Sequence, residues 1–445
     1  MSFRDLASSY AEPAYRPTNK SIAVALTASC FGWALDLFDL FLLLYVAPYV
    51  GKAFFPSHNA TLTLAAVYAS FAVTLCMRPV GSAIFGSYAD KRGRKGAMMV
   101  AMTGVGLSTA AFGLLPGYAS IGLWAPIIFL ILRLVQGVFV GGVVASTHTI
   151  GTESVPRKWR GLVSGLIGGG GAGLGALLAS ISFLVMSSIF VGAAFDDWGW
   201  RAMFLSGILS AVFGLTLFNS LEESPLWKQL REAPGLLSKE KAATPLKALF
   251  SAVHRKTLLV NLLLTVSGGS VYYLTAGYLP TYLRTIDHVT NHTASLLLVG
   301  AALASIVAGL MFGQLAEVLG RKKAFLLIGL IGLLVVPYSF IKLSTSVGIT
   351  PVACYSLIIA FMGNAVLAPL PIFLNERFPT AIRASGTGLS WNVGFAVGGS
   401  IPVLVTLSSA SLSGLPITLA IFTAVFFAVY VIGAVVSGET KGHNM

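Results

Sequence analysis

The chain of 445 residues is 56% hydrophobic and only 10% charged, whereas a soluble domain carries about 25% charged residues. This composition excludes an ordinary soluble domain and indicates a polytopic membrane protein. The net charge of +13 could suggest a nucleic-acid partner, but the basic residues are concentrated in short connections between apolar runs, which argues against that class.

Twelve segments are long and apolar enough to cross a bilayer, since a transmembrane helix needs about 20 mainly apolar residues. Their lengths and glycines are typical of α-helices rather than of the short alternating strands of a barrel. The predicted fold is therefore an all-α membrane protein with twelve transmembrane helices. The predicted spans are 22–48, 62–85, 97–115, 122–148, 161–190, 200–219, 257–279, 294–315, 324–341, 351–374, 384–409 and 414–437.

Most of the 29 lysines and arginines fall on one predicted side of the membrane. The other side keeps Lys52, Arg201, Arg284 and Lys342. The positive-inside rule then predicts a multi-pass protein of the inner or plasma membrane with both termini in the cytoplasm. No removable signal peptide is expected, because the polar first twenty residues lead directly into the first apolar helix.

The longest polar interruption divides the twelve spans into six and six. The predicted organisation is a cytoplasmic tail (1–20), a six-helix domain (21–220), a cytoplasmic linker (221–256), a second six-helix domain (257–437) and a short tail (438–445).

Two loop motifs of the first half recur in the second half at nearly the same offset. The stretch GSYADKRGRKG is matched by GQLAEVLGRKK, and ESVPRKWRGLVSG is matched by ERFPTAIRASGTG. The corresponding residues are Gly86 and Gly313, Asp90 and Glu317, Arg94 and Arg321, Glu153 and Glu376, and Arg160 and Arg383. The pattern indicates a parallel internal duplication, with a pseudo-two-fold axis along the membrane normal.

These repeated loops are predicted to act as a conformational latch. A carboxylate just past a helix end can pair with basic side chains and with a neighbouring helix N-terminus. Such a latch would stabilise one arrangement of the two halves and break in the other. An ordinary positive-inside turn is the alternative interpretation.

The loop that begins at Gly86 resembles the signature loop of the major facilitator superfamily, and RLVQGVFVGG from Arg133 resembles its fourth-helix motif. The stretches RPVGSAIFG, WGWRAMF, LEESPLW and VYYLTAGYLPTYL resemble the proton symporters for metabolites, sialate and monocarboxylates within it. The resemblance implies twelve helices in two halves, alternating access driven by a proton gradient, no cofactor, and function as a monomer.

Two acids interrupt the first span. Asp36 and Asp39 are the acidic residues, among sixteen, that fall well within a predicted span, where a carboxylate costs roughly 2.5–3.5 kcal/mol. They lie three residues apart and share a helix face. Arg133 is predicted near mid-bilayer, where a facing carboxylate is its natural partner. For Arg78, gating or bracing against the signature loop and substrate contact both stay open.

In the resembling symporters a first-helix aspartate and a fourth-helix arginine form a proton-coupling pair, and Asp39 and Arg133 align with them. We therefore expect Asp39 to carry the proton, with Asp36 as a second acid, although the reverse assignment stays open. When Asp39 is protonated, the freed Arg133 could bind a substrate carboxylate. A static buried ion pair is the alternative.

The second half has no charged residue within a predicted span, so its polar side chains are expected to form the other wall of the substrate site. For a single such residue, core packing is the alternative interpretation. The predicted wall consists of Ser270, Tyr272, Tyr273, Asn364, Trp391 and Asn392.

The cysteines and the glycine-rich stretch of the fifth span do not indicate a functional site. Cys30, Cys76 and Cys354 lie in predicted spans without metal-ligand spacing, so neither a zinc site nor a disulfide framework is expected. The G-x-G-x-x-G match from Gly168 lies in an apolar span and indicates close helix packing. Without a Walker A loop or a catalytic constellation, no enzyme, cofactor or metal is predicted.

The sequence thus predicts proton-coupled uptake of a small organic acid anion, such as a monocarboxylate, across the bilayer. The first alternative is symport of a neutral or zwitterionic solute such as a sugar, polyol or betaine. The second is a membrane sensor of the same fold that transports nothing.

Overall fold

The computed structural model describes residues 19–92, 94–153, 155, 159–220, 252–378, 380–409 and 411–441. Most of the predicted linker 221–256 and most of the N-terminal tail lie outside the described residues. The predicted domain boundaries therefore remain predictions.

The predicted twelve-helix architecture is confirmed. In the described ranges, eleven helical stretches are long and apolar enough to span a membrane, and the shorter apolar helix Met99–Leu114 completes twelve. The helices are α1 (Asn19–Tyr45), α2 (Ala60–Arg92), α3 (Arg94–Leu114), α4 (Trp124–Glu153), α5 (Arg160–Gly165, Leu166–Gly170 and Gly171–Ile189), α6 (Phe195–Gly199, Trp200–Leu205 and Ile208–Ser220), α7 (Ala252–Tyr272, Tyr273–Gly277 and Leu279–Thr285), α8 (Asn291–Leu319), α9 (Arg321–Thr345), α10 (Ile349–Ala365 and Leu370–Glu376), α11 (Thr380–Ser408) and α12 (Leu415–Val436).

Several helices are longer or less regular than the apolar pattern suggests. Helix α2 continues through polar residues to Arg92, because a helix can leave the hydrocarbon layer without ending. Leu166–Gly170 and Tyr273–Gly277 each form one turn of π-helix. Single π-turns inside α-helices are frequent at functional sites. The second of them lies in the predicted substrate wall.

The two halves, α1–α6 and α7–α12, meet along two helix pairs. Helix α2 packs along α11, and α5 packs along α8. Because the repeat relates α2 to α8 and α5 to α11, these two seams are equivalent under the pseudo-two-fold axis. One apolar core joins both halves, since Trp33 and Phe41 belong to the same buried cluster as Tyr272 and Trp391.

Glycines bring the backbones of α5 and α8 into contact. A Cβ atom on Gly309 would lie 2.5 Å from the backbone nitrogen of Gly170, and one on Gly165 would lie 2.8 Å from the Cα atom of Gly313. Small residues allow this close approach within membranes. The G-x-G-x-x-G match therefore lies on a packed helix, as the sequence predicts.

Substitution Gly309→Val should destabilise the protein in detergent, because a larger side chain has no room in the α5–α8 seam. Overpacking of this kind costs about 1–3 kcal/mol. Gly300→Val is the matched control on α8, since a Cβ atom there meets only Leu357 Cδ2, at 3.3 Å. Thermal unfolding of the two variants should separate them. Equal losses would contradict the close-packed seam.

Candidate functional site

A buried ion pair lies between α1 and α2 in the first half. Arg78 Nη2 and Asp36 Oδ1 are 3.2 Å apart, and the two side chains are 1% and 0% exposed. Arg78 therefore sits in the protein interior. The side chains of the signature loop lie outside the described residues, so the predicted gating or bracing role of Arg78 remains a prediction. Its pairing with Asp36 explains how both charges are tolerated within a membrane span.

This ion pair leaves hydrogen-bonding capacity unused. Asp36 Oδ2 and Arg78 Nε and Nη1 form no hydrogen bond within the part of the chain that the structure describes. Buried polar atoms are normally satisfied. The pair therefore offers both an acceptor and donors to a ligand or to water.

The second acid has different neighbours, although Asp39 Oδ1 and Arg133 Nε and Nη2 likewise form no hydrogen bond with a described residue. The Gln136 side-chain NH₂ donates to Asp39 Oδ2 and to Thr109 Oγ1, while its oxygen accepts from Arg133 Nη1 at 2.7 Å. The predicted direct pair of Asp39 and Arg133 is wrong, because Gln136 stands between them. The signal for Gln136 was in the sequence, since it lies three residues after Arg133 and so shares its helix face.

Aromatic rings hold Arg133 in place. Its guanidinium carbon lies 4.1 Å from the ring centre of Phe112 and 5.1 Å from that of Phe129. Cation–π contacts of this kind are strengthened where water is excluded. The side chains that contact Arg133 and Gln136 here come from α3 and α4 of the first half, and Asp36 and Arg78 lie close enough to interact electrostatically with Asp39.

The second half presents aromatic side chains to the Asp36–Arg78 pair. Tyr272 and Tyr273 are close enough to interact electrostatically with both charges. Tyr272 packs edge-on against Phe41 of α1, with 6.0 Å between ring centres. Its hydroxyl forms no hydrogen bond with any described residue. The roles of Tyr272 and Tyr273 as a wall of the substrate site remain predictions.

Trp391 extends this wall. Its ring is stacked on Phe395, with 4.3 Å between ring centres, and it meets Trp33 of the first half edge-on at 5.5 Å. The Trp33 side-chain N–H donates to the carbonyl of Gly168. The aromatic wall, defined as Trp33, Tyr272, Tyr273, Trp391 and Phe395, therefore contains residues of both halves.

Two residues of the predicted substrate wall make structural contacts. The Asn364 side chain donates to the carbonyls of Gly169 and Ser305, at 2.8 and 2.7 Å. Ser270 donates to the carbonyl of Val266 in its own helix. These hydrogen bonds brace helices, and the substrate contacts predicted for both residues remain predictions.

Asn392 also joins the two halves in this conformation. Its side-chain NH₂ donates to Ser82 Oγ at 3.1 Å, while Ser82 donates to the carbonyl of Gly141. The contact belongs to the α2–α11 seam rather than to the aromatic wall.

Two further contacts join the halves near opposite ends of the helices. Ser164 of α5 donates to the carbonyl of Ala368 and accepts from the backbone N–H of Ile372. Tyr68 of α2 is stacked on Tyr278 of α7, with 4.8 Å between ring centres.

The ion pairs of the predicted latch lie within the second half. Arg321 bonds both carboxylate oxygens of Glu376, at 2.8 and 3.2 Å, and pairs with Glu317 at 3.0 Å. A contact between the halves comes from the Glu317 side chain, which packs against Gly161 of α5. These ion pairs of Arg321 lie within the second half, and the predicted action of the loops as a conformational latch remains a prediction.

The other predicted latch residues are placed only by their helices. Gly86 and Asp90 lie in α2, Arg94 and Glu153 at helix ends, and Arg383 in α11. Their side chains lie outside the described part of the chain. Gly313 packs against α5, and Arg160 begins that helix.

A further latch residue comes from the C-terminal tail. The Glu439 carboxylate accepts the backbone N–H groups of Arg321 and Lys322, at 2.9 and 3.2 Å, and so caps the start of α9. The preceding residue, Gly320, has a φ of 98° and cannot supply a capping side chain. Thr440 Oγ1 donates to Glu376 Oε2 at 2.6 Å. Nothing in the sequence pattern indicated this contact.

The pKa of Glu439 lies below its ordinary value. Partial burial opposes ionisation, but the backbone N–H groups of Lys441, Arg321, Lys322 and Thr440 stabilise the carboxylate and outweigh that cost. A lowered pKa in the folded state means that this cap stabilises the protein above the unfolded-state pKa, near 4.3. The stabilisation is lost as pH falls through the folded-state pKa.

Glu439→Gln should therefore lower the unfolding temperature in detergent at pH 7, and the difference from wild type should narrow below about pH 4. The reason is that protonation removes from wild type the charge that the variant already lacks. Glu439→Asp is the control that keeps the charge. A difference independent of pH would contradict the capping role.

The chain is similar to known proteins along most of its length. The family model of the Major Facilitator Superfamily matches residues 22–401. Inner membrane metabolite transport protein YhjE of Escherichia coli K12 is 30% identical over 404 residues, which cover 88% of each chain. The proline/betaine transporter of E. coli K12 is 30% identical over 384 residues, 85% of this chain and 76% of that one.

Solved structures extend the likeness to the whole fold. The proton:xylose symporter XylE of E. coli superimposes with a TM-score of 0.73 at 18% identity, covering 96% of this chain and 98% of that one. At this identity the likeness concerns the fold alone. Together with the family match over most of the length, it confirms the predicted fold, and the chain belongs to the major facilitator superfamily of membrane transporters.

Proposed function

We propose that this transporter couples proton entry to the uptake of a small zwitterionic solute that carries a carboxylate and a cationic group. The observation that carries the proposal is the buried Asp36–Arg78 pair, which has unused polar atoms and faces the aromatic wall. The similarity to proline/betaine transporters supports this solute class over the organic acid anion that the sequence first suggested.

Each end of such a solute has a matching partner in the centre. The guanidinium of Arg78 binds the carboxylate, for which its planar fork of donors is suited. The cationic group lies against the aromatic wall, where ring faces attract ammonium groups. A solute that carries both charges keeps the net charge of the buried site unchanged, which limits the cost of desolvation.

Asp36 and Asp39 then have different roles. Asp36 faces the solute, while Asp39 carries the proton in an environment built from first-half residues alone, with Gln136 and Arg133. Because Asp36 and Asp39 lie three residues apart on α1, a shift of this helix on protonation moves the solute site. Arg133 therefore serves proton coupling rather than substrate binding.

Alternating access uses the two seams between the halves. Parting of the α5–α8 seam near Glu317 opens one side, and parting of the Tyr68–Tyr278 stack opens the other. We place the side with Arg321 and Glu439 in the cytoplasm, in accordance with the positive-inside rule. The protein works as a monomer in the inner membrane, with both termini in the cytoplasm.

Proteoliposomes with an imposed inward proton gradient should accumulate radiolabelled betaine or proline against their concentration gradients. Lactate and xylose, tested in parallel, should not accumulate, because each lacks the cationic group. Collapse of the proton gradient with an ionophore is the control. Accumulation of lactate alone would favour transport of an organic acid anion. If none of betaine, proline, lactate and xylose crosses the membrane, a sensor would be favoured.

Because Asp39 and Arg78 have different proposed roles, substitution of each residue should impair a different transport activity. Asp39→Asn should abolish accumulation but retain exchange of betaine across the membrane, because the solute site stays intact. Arg78→Gln should abolish both, because the carboxylate loses its partner, which costs about 1.5–3 kcal/mol for a hydrogen bond to a charged group. Counterflow and gradient-driven uptake measured on the same vesicles distinguish the two. Retained exchange in Arg78→Gln would contradict the assignment.

A further inference from the structure

A groove on the outer surface of the helix bundle crosses the α2–α11 seam. Its volume is about 410 Å³, and its walls include Ala69, Val73 and Cys76 of α2, Leu134 of α4, and Ser400 and Leu404 of α11. Residues of both halves therefore line a single groove. Small side chains on α2 create the space.

The groove offers no polar contact to an occupant. The hydroxyl of Ser400 donates to the carbonyl of Ala396 in its own helix, at 3.0 Å, so its hydrogen bond is already made. The remaining walls are aliphatic or carry sulfur. These walls exclude a sugar, an ion or another charged solute as the occupant and suit a hydrocarbon chain.

The depth of the groove points to the same ligand. Val73 lies at the middle of the apolar stretch Ala60–Phe85, and Leu134 lies at the middle of Trp124–Val143. In a membrane transporter this level is the hydrocarbon core of the bilayer. The α2 wall, from Ala69 to Met77, extends about 12 Å along the helix axis at 1.5 Å per residue. Acyl chains are the material available at that level.

Helix α11 lies next to both the groove and the proposed solute site. Gly399 precedes Ser400, and a Cβ atom on Gly399 would lie 3.3 Å from Phe71 Cε1 and 3.3 Å from Tyr273 Cε2. The residue that bounds the groove is therefore next to one that contacts the aromatic wall. Anything held in the groove touches the α2–α11 seam within one residue of that contact.

We propose that the groove is a binding site for one acyl chain of a membrane phospholipid, inserted between the two halves of the transporter. The chain fills the space that Ala69 and Ala72 leave open and contacts α2, α4 and α11 together. It thus forms part of the α2–α11 seam, which must rearrange during alternating access. This site is separate from the solute site and does not depend on which solute is carried.

Photo-crosslinking tests the site directly. The full-length protein is reconstituted in nanodiscs that contain phosphatidylcholine with a diazirine at the middle of one acyl chain, irradiated, digested and mapped by mass spectrometry. Labels should be concentrated severalfold on the groove residues of α2 and α11 relative to other exposed positions at the same depth. Ala69→Phe, which fills the groove, should remove that excess. Ala83→Phe, an exposed position on the same helix outside the groove, should retain it.

Other outcomes overturn the proposal. Even labelling of the lipid-facing surface in wild type would mean ordinary contact with bulk lipid, and an unchanged excess in Ala69→Phe would mean that no chain occupies the groove. If Ala69→Phe fails to give a monodisperse protein, Cys76→Phe fills the same groove from a position about two turns further along α2 and is judged by the same criteria.

Discussion

The cost of keeping charge inside a membrane organises the centre of this protein. Asp36, Asp39, Arg78 and Arg133 are all buried within membrane helices, where an isolated charge is expensive. The structure meets that cost in two ways. One acid and one arginine pair directly, and the other acid and arginine share a neutral amide. The two arrangements thus differ in whether a neutral side chain lies between the acid and the arginine.

The two arrangements also differ in what surrounds them. Arg133 is enclosed by Phe112, Phe129 and Gln136, so its surroundings move with the first half as a unit. Arg78 lies against tyrosines of the second half, so its surroundings change whenever the halves move relative to each other. An ion pair at such a boundary is suited to sense the relative position of the two halves, whereas an enclosed network is suited to hold a proton through that movement.

Direct contact between glycine backbones allows the two halves to move relative to each other. At the α5–α8 seam, glycine backbones are in direct contact, so few interlocking side chains need to disengage when the seam parts. The ion pairs of Arg321 with Glu317 and Glu376, together with the Glu439 cap, brace the end of α8 and the start of α9 within the second half. These interactions keep the α8 side of the seam rigid, and the Glu317 side chain on that side packs against Gly161 of α5.

The sequence by itself determined the twelve helices, the division into two related halves and the presence of buried charge, because hydrophobic length and repeated motifs are local properties of the chain. It also singled out Tyr272, Tyr273 and Trp391, which the structure places in one buried cluster with Trp33 and Phe41. Only the tertiary structure decided which arginine meets which acid, that Gln136 stands between Arg133 and Asp39, that Asn364 braces the glycine seam and that Glu439 caps a distant helix. Those contacts depend on how each helix is rotated about its axis and on which residues, far apart in the chain, come close together in space. The spacing of residues along the sequence specifies neither.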